Sequence, residues 1–114
     1  MINDLNRVVL MGHVGGDATQ SHETAPVRLS LATSSHWKVE DTKNTRTEWH
    51  SIVVFGNLRK YAVKLKKGDR VYVEAEARTS TYEKTIGDET FTVRNTEFHA
   101  SQIECVTTKP ENDN

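Results

Sequence analysis

The residues of this chain best suited to chemistry are its flat ones. Trp49 and Phe55 stand six positions apart in "RTEWHSIVVFG", Trp37 opens a charged stretch, and Tyr82 follows Arg78 by four positions. In an extended segment, residues of like parity share a face, so Trp49, Ser51, Val53 and Phe55 form one side of a strand. A lone ring in a strand is most often core, and Phe55 is the most core-like of the four. Trp37, Trp49 and Tyr82, by contrast, have Lys38, Glu48 and Arg78 nearby and few aliphatic neighbours. Rings spaced among polar residues suit stacking on flat ligands, and nucleobases offer π faces whatever their sequence, at about 1–3 kcal/mol per base.

Basic residues give a second signal. Arg59, Lys60, Lys64, Lys66, Lys67 and Arg70 crowd together against Asp69 alone. Such a run is ordinarily the solvated face of a helix. Arg7, Arg28, Lys38 and Arg78 lie on or beside strands, where they could flank a phosphate backbone. The net charge is -1, so there is no global field to draw a polyanion, and any such attraction must be local. The candidate contacts are the aromatics Trp37, Trp49, Phe55 and Tyr82 and the bases Arg7, Arg28, Lys38, Arg59, Lys66, Lys67 and Arg78.

Other chemistries find little footing. His13, His22, His36, His50 and His99 show no metal spacing of the HxxxH or HExxH kind. His50 and Ser51 are strand neighbours and point to opposite faces, which spoils them as a nucleophile pair. Glu74 and Glu76 share a face, as a solvated pair on the outside of a barrel would. "HVGG" lacks the GK[ST] of a phosphate loop. Cys105 is the single cysteine, which excludes an internal disulfide or a multi-thiolate site and suits a reducing compartment. No cofactor, metal or catalysis is expected. No apolar run approaches the ~20 residues of a membrane span, and "MINDLNR" has no secretory h-region, so a soluble intracellular or organellar protein with no membrane partner is expected.

The elements that must position these residues can be read from periodicity. At 114 residues, 35% of them hydrophobic, one domain with a thin core is expected, better suited to a barrel or small sandwich than to thick layers. "LNRVVLMGHV" reads as a strand apolar on both faces and covered on both, and "GGD" ends it. "VRLSLATSS" alternates, with Val27, Leu29 and Leu31 inward and Arg28 and Ser30 outward. "WKVEDTKNTRT" reads as a long mobile hairpin loop. "TEWHSIVVF" is a third strand. In "NLRKYAVKLKKG", Leu58, Tyr61, Ala62 and Leu65 predict a helix over 57–68, with Asn57 as N-cap and Gly68 at its C-terminus. A fourth strand from Arg70 runs through Tyr82 into a hairpin at "IGDE", returning through "TFTVRN", and a last strand covers about 96–106. This is the order of an all-β, five-stranded Greek-key barrel of the oligonucleotide-binding (OB) kind, with one helix between strands three and four and an extended hairpin after strand four. The domain should span 1–107, and "TTKPENDN" adds a short polar tail over 108–114, expected to be disordered.

In order and spacing, "LNRVVLMGHVGGDAT", "LSLATSSHWK", "TEWHSIVVFGNL", "LKKGDRVYVEAEART" and "TYEK" resemble the bacterial and mitochondrial single-stranded DNA-binding protein family, over roughly residues 5 to 106. The resemblance implies an OB fold, a homotetramer, and sequence-tolerant coating of single-stranded DNA without catalysis in replication, recombination and repair. It implies stacking roles for Trp37, Trp49, Phe55 and Tyr82, basic contacts at Arg7, Lys67 and Arg78, and a subunit contact at His50. The doubly apolar first strand adds Val9 and Met11 to the expected interface. Ser51, Asn57, Ser80 and Thr81 depart from the pattern, standing where bacterial relatives often carry Lys or Arg. "KPENDN" lacks the linker and acidic tip by which bacterial members recruit replication proteins, which points to a mitochondrial, phage, plasmid or truncated member, in the mitochondrial matrix or the bacterial cytoplasm. Two rivals remain: an RNA-binding or primosomal module on the same barrel, and a nuclease.

Overall fold

The computed structural model of the chain describes residues 4–106. Five strands, β1 (Val8–Val14), β2 (Val27–Val39), β3 (Thr42–Val54), β4 (Arg70–Ile86) and β5 (Glu89–Cys105), close into a barrel in the order β1-β2-β3-β5-β4. A 3-10 turn at Gly56–Leu58 and the one-turn helix α1 (Arg59–Ala62) separate β3 from β4. All pairings are antiparallel except β3 with β5, which is parallel at Ile52↔Phe98 and Val53↔His99. The all-β OB barrel expected from the element order is thus the observed one.

Alternation builds the core. Val27, Leu29 and Leu31 of β2, Ile52 and Val54 of β3, Val71, Val73 and Ala75 of β4, and Ile103 of β5 are buried together with Val14, Ala62 and Leu65. Each Val, Leu or Ile so buried contributes about 1.5–3 kcal/mol before the entropy of ordering is set against it. Among the described residues, every buried hydrophobic one is Val, Leu, Ile or Ala, and none is an aromatic ring.

Four expectations change. The predicted helix over 57–68 shrinks to a single α-turn. Asn57 makes no side-chain cap, and the groups that would continue the helix bond instead to the end of β1 and the loop after it. Ala18 N–H donates to the Leu65 carbonyl, Gly68 N–H donates to that of Val14, and Val14 N–H to that of Asp69. Gly68, at φ +91°, therefore closes a turn into β4 and does not end a helix. Tyr61 leaves the predicted stripe for the surface, where its hydroxyl accepts the Cys105 N–H at 2.6 Å.

The expected mobile loop over 37–47 is a β-ribbon. β2 and β3 pair without a break from Val27↔Val54 to Val39↔Thr42. They turn at Glu40 and Asp41, with φ of 47° and 68°, the two positive values of a type I′ hairpin. Cross-strand polar pairs, Ser34 Oγ with Thr47 Oγ1 and His36 Nδ1 with Thr45 Oγ1, each at 3.0 Å, take the place of apolar packing. Similarly, "TFTVRN" and the expected last strand are one continuous β5, joined to β4 by Gly87 and Asp88 with φ of +63° at Gly87. β1, finally, is covered on one side only within a single chain, since Val9 and Met11 are exposed. The expected tail over 108–114 lies outside the described residues. Among those described, no helix is long and apolar enough to cross a membrane.

Candidate nucleic-acid interface

Register brings the candidate side chains together. Paired strand residues share a face, so Trp49 lies beside Ala32, Ser51 beside Ser30, and Val53 beside Arg28. The parallel seam carries that outer face from Val53 to His99. From there the β4–β5 ladder continues it through His99↔Glu76, Glu97↔Arg78, Asn95↔Ser80 and Val93↔Tyr82. Phe55, one residue past β3, packs its ring on His99 with centroids 4.9 Å apart. Trp49, Phe55, Tyr82, Arg28 and Arg78 thus occupy one continuous outer surface. Trp37 pairs with Asn44 and belongs to the opposite pleat of the β2–β3 ribbon, so it does not extend the row that Trp49 begins.

Trp49 is 63% exposed, and glycine holds it there. A Cβ at Gly15 would fall 2.3 Å from Trp49 Cζ3 and 3.0 Å from Ser30 Oγ, a separation that no real side chain tolerates. The indole lies on the bare backbone of Gly15, whose N–H is fixed to the Ser30 carbonyl at 2.9 Å. Gly15, read from the sequence only as a strand breaker, is a site residue that sequence reasoning missed. Beside the ring, Gly16, Asp17, Arg28, Ser30, Ser51 and Val53 line an open cleft of about 320 Å³. Val53, with Ser51 and Arg28 around it, is nonetheless buried.

The arginines of this surface are not idle. Arg7 bonds Glu74 at 2.8 Å, Arg28 bonds Glu97 at 2.7 Å, and Arg78 sends Nε and one terminal nitrogen to Glu76 Oε1. The bond from Arg28 holds the Glu97 carboxyl below its ordinary range. Desolvation opposes it, and the charge of Arg28 and a weaker contact to His99 add to it. On the neighbouring strip, Tyr72 donates to Glu74 at 2.5 Å. That bond, with desolvation, pushes the phenol up. The solvated pair Glu74 and Glu76 expected from the sequence is therefore a pair of arginine partners.

The remaining candidates divide. Lys38, Lys66 and Lys67 are exposed and form no ion pair among the described residues. The Lys67 backbone N–H donates to Asp17 Oδ1 at 2.9 Å, which sets the 66–69 turn beside the loop carrying Gly15. Arg59 gives its donors to the carbonyls of Gly56, Thr24 and Ala25 and so staples a loop to α1. His50 is half-buried, bonded through Nε2 to Thr33 Oγ1 at 2.9 Å and set 5.7 Å from the Phe98 ring. Val9 and Met11 sit on the outer face of β1 against Glu74 and Tyr72. Among the described residues, no group of three His, Cys, Asp or Glu side chains could hold a metal ion.

The family model described as the single-strand binding protein family matches residues 5–106. The chain belongs to that family. Membership agrees with the resemblance read from the five sequence segments. Among relatives of this family, the single-stranded DNA-binding protein of Xanthomonas axonopodis pv. citri is 37% identical over 111 residues, covering 93% of this chain and 60% of that protein. Single-stranded DNA-binding protein 1 of Xylella fastidiosa is 34% identical over 114 residues, covering 95% and 82%. The chain thus spans about three fifths of the Xanthomonas relative's length. The fold is also that of a Plasmodium falciparum single-strand binding protein in complex with single-stranded DNA, at TM-score 0.70 and 24% identity over 94% of this chain and 99% of that one. A deletion mutant of the Thermus aquaticus single-stranded DNA binding protein gives TM-score 0.71 and 20% identity over 90% and 51%.

Proposed function

We propose that the chain binds single-stranded DNA without sequence preference and without catalysis, protecting it during replication, recombination and repair. The observation that carries this reading is the continuous outer surface joining Trp49, Phe55 and Tyr82 in a protein that buries none of its aromatic rings. Rings left in water gain by covering themselves with bases, at about 1–3 kcal/mol each. Several such contacts rival the phosphate term, which reconciles nucleic-acid binding with a net charge of -1. Arg28 and Arg78 would exchange glutamate for phosphate on binding, while Lys38, Lys66 and Lys67 are available without exchange. The exposed Val9 and Met11 support assembly through β1 into a homotetramer, and the bacterial relatives favour the nucleoid over the mitochondrial matrix.

The test is fluorescence anisotropy of end-labelled oligo-dT with the parent protein and Trp49→Ala. The variant should bind about tenfold or more weakly, and matched RNA should compete poorly. Tighter binding of RNA, or cleavage of DNA with Mg²⁺, would replace this reading with one of its rivals. Light scattering showing a monomer of 12.9 kDa at micromolar concentration would remove the tetramer.

A further inference from the structure

We infer that His99 couples the binding of single strands to the uptake of a proton: it shares the Glu97 carboxylate with Arg28 and takes that carboxylate over when Arg28 turns to a phosphate. The inference rests on the proposed binding of single-stranded DNA by the outer surface. His99 acts in it as a positioning residue, through Glu97 and Arg28.

The two oxygens of Glu97 are divided between two bases. Oε2 accepts from Arg28 at 2.7 Å, and Oε1 faces His99 Nε2 at 3.5 Å. The Glu97 side chain is only 14% exposed, whereas that of Arg28 is 55% exposed. Arg28 is therefore free to swing to a phosphate in solvent, but Glu97 cannot follow it into water. A carboxylate so enclosed is costly once its cation has gone, and the bond from Arg28 is what chiefly favours its ionised form. The neighbouring imidazole is placed to supply the missing charge. Imidazoles change charge between about pH 5 and 8, so a proton from solvent can arrive near neutral pH. It leaves an N–H donor at each ring nitrogen, the one at Nε2 facing Oε1.

Among the described residues, the other charged groups around His99 are engaged or solvated. On β4, Glu76 lies directly opposite. Its Oε1 takes two donors from Arg78, and its side chain is 49% exposed, so water serves it when Arg78 departs. Arg7 and Glu74 share with His99, Phe55 and Ser101 an open cleft of about 530 Å³, and they bond to each other at 2.8 Å. From β3 come Val53, beside His99 in the parallel register, and then Phe55, whose ring lies on the imidazole. Neither titrates. Glu97 is thus the one carboxylate here that binding would strip of its cation and leave out of water, and His99 is the base that faces its second oxygen.

The experiment measures dissociation constants for end-labelled oligo-dT at about pH 8 and about pH 6, a range in which neither thymine nor the phosphodiester titrates. The ratio of the two is read within each protein, so a general loss of affinity cancels. The parent should bind about 3–10-fold more tightly at the lower pH. His99→Gln and His99→Phe cannot take up the proton and should bring the ratio towards one. Glu97→Gln, which removes the charge that calls for the proton, should do the same. His36→Gln, on the same outer face in the β2–β3 ribbon, should keep the parent's ratio. Titration calorimetry near neutral pH, in PIPES and in Tris, should show from the difference in heats a proton uptake by the parent that His99→Gln lacks. A parent ratio near one, or a ratio that survives in His99→Gln or is lost in His36→Gln alone, overturns the inference. So does a ratio lost in His99→Gln but kept in Glu97→Gln, since His99 would then meet phosphate by itself. If Trp49→Ala weakens binding at both pH values while the His99 variants keep the parent's ratio, this inference alone fails. If Trp49→Ala is also silent, the proposed function has failed with it.

Discussion

Along β2, Leu29 and Leu31 are buried, and a few residues later His36, Trp37 and Lys38 stand in water. Along β4, Val71, Val73 and Ala75 are buried, and everything from Arg78 to the turn is exposed. The strands do not stop or change their hydrogen bonding at the boundary. What changes is whether a second layer lies behind them. In the barrel, ladder bonds and burial act together. In the two ribbons the ladder acts with cross-strand pairs alone, each contributing about 0.2–1 kcal/mol, and a two-stranded hairpin on its own is marginal in water. The ribbons persist because their roots are clamped in the barrel. A side chain can therefore stand exposed on a ribbon root or tip at little cost to folding, and that is where Trp37, Trp49 and Tyr82 are found.

The sharpest way to break the comparison is to truncate one residue on each side of it. Ile52→Ala should lower stability by about 2–5 kcal/mol, read as an earlier urea midpoint, with oligo-dT binding lost only as the protein unfolds. Trp49→Ala should do the reverse, weakening binding by about 1–3 kcal/mol with the urea midpoint close to the parent's. If Trp49→Ala unfolds the chain, the boundary between barrel and ribbon has been drawn in the wrong place.

A smaller effect sharpens the same point. Gly15→Val leaves every ring in the sequence but pushes the Trp49 indole off its bed. It should weaken binding nearly as much as Trp49→Ala, and adding it to Trp49→Ala should cost little more, since the two act through one ring. Smaller again is Glu97→Gln, which frees Arg28. Affinity for oligo-dT should rise a few-fold with the salt slope unchanged, because Arg28 meets phosphate in both proteins and in the variant no longer has to leave a carboxylate first.

The weakest expected effect concerns acid. Because the folded protein holds Glu97 below its ordinary value of 4.5, the Arg28–Glu97 pair contributes its stability above that value and loses it as pH falls through the lowered one. Arg28 is more than half exposed, so the contribution is at most about 1 kcal/mol. Urea midpoints of the parent and Glu97→Gln should converge as pH falls below 4.5 and on through that lowered value.

The barrel was legible because burial writes a period into sequence. Val27, Leu29 and Leu31 announce β2 as Val71, Val73 and Ala75 announce β4. The ribbons write no such period. "WKVEDTKNTRT" looks like a loop because its strands bury nothing, and its turn uses Glu40 and Asp41 in place of the Asn-Gly that marks a type I′ hairpin. The helix over 57–68 is shorter than its sequence suggests for the opposite reason. Its apolar stripe is real at Leu58, Ala62 and Leu65, but the stretch closes at "KKGD" with bonds to β1 that no local pattern records. For the candidate site, residue type alone singles out Trp49, Phe55 and Tyr82, which strand register brings to one outer face. The Arg–Glu pairs, the bed at Gly15 and the pleat that separates Trp37 from Trp49 depend on register across strands distant in sequence, and none has a local signature.

The choice of an aliphatic core has an optical consequence. Both indoles, Trp37 and Trp49, stand in solvent in the folded chain, so native emission should already lie at the long wavelengths of water-exposed tryptophan, and denaturant should move it very little. Whatever covers the indoles will change it strongly. The intrinsic fluorescence by which most proteins report their unfolding is, in this one, nearly blind to the fold and sensitive to what lies on its surface.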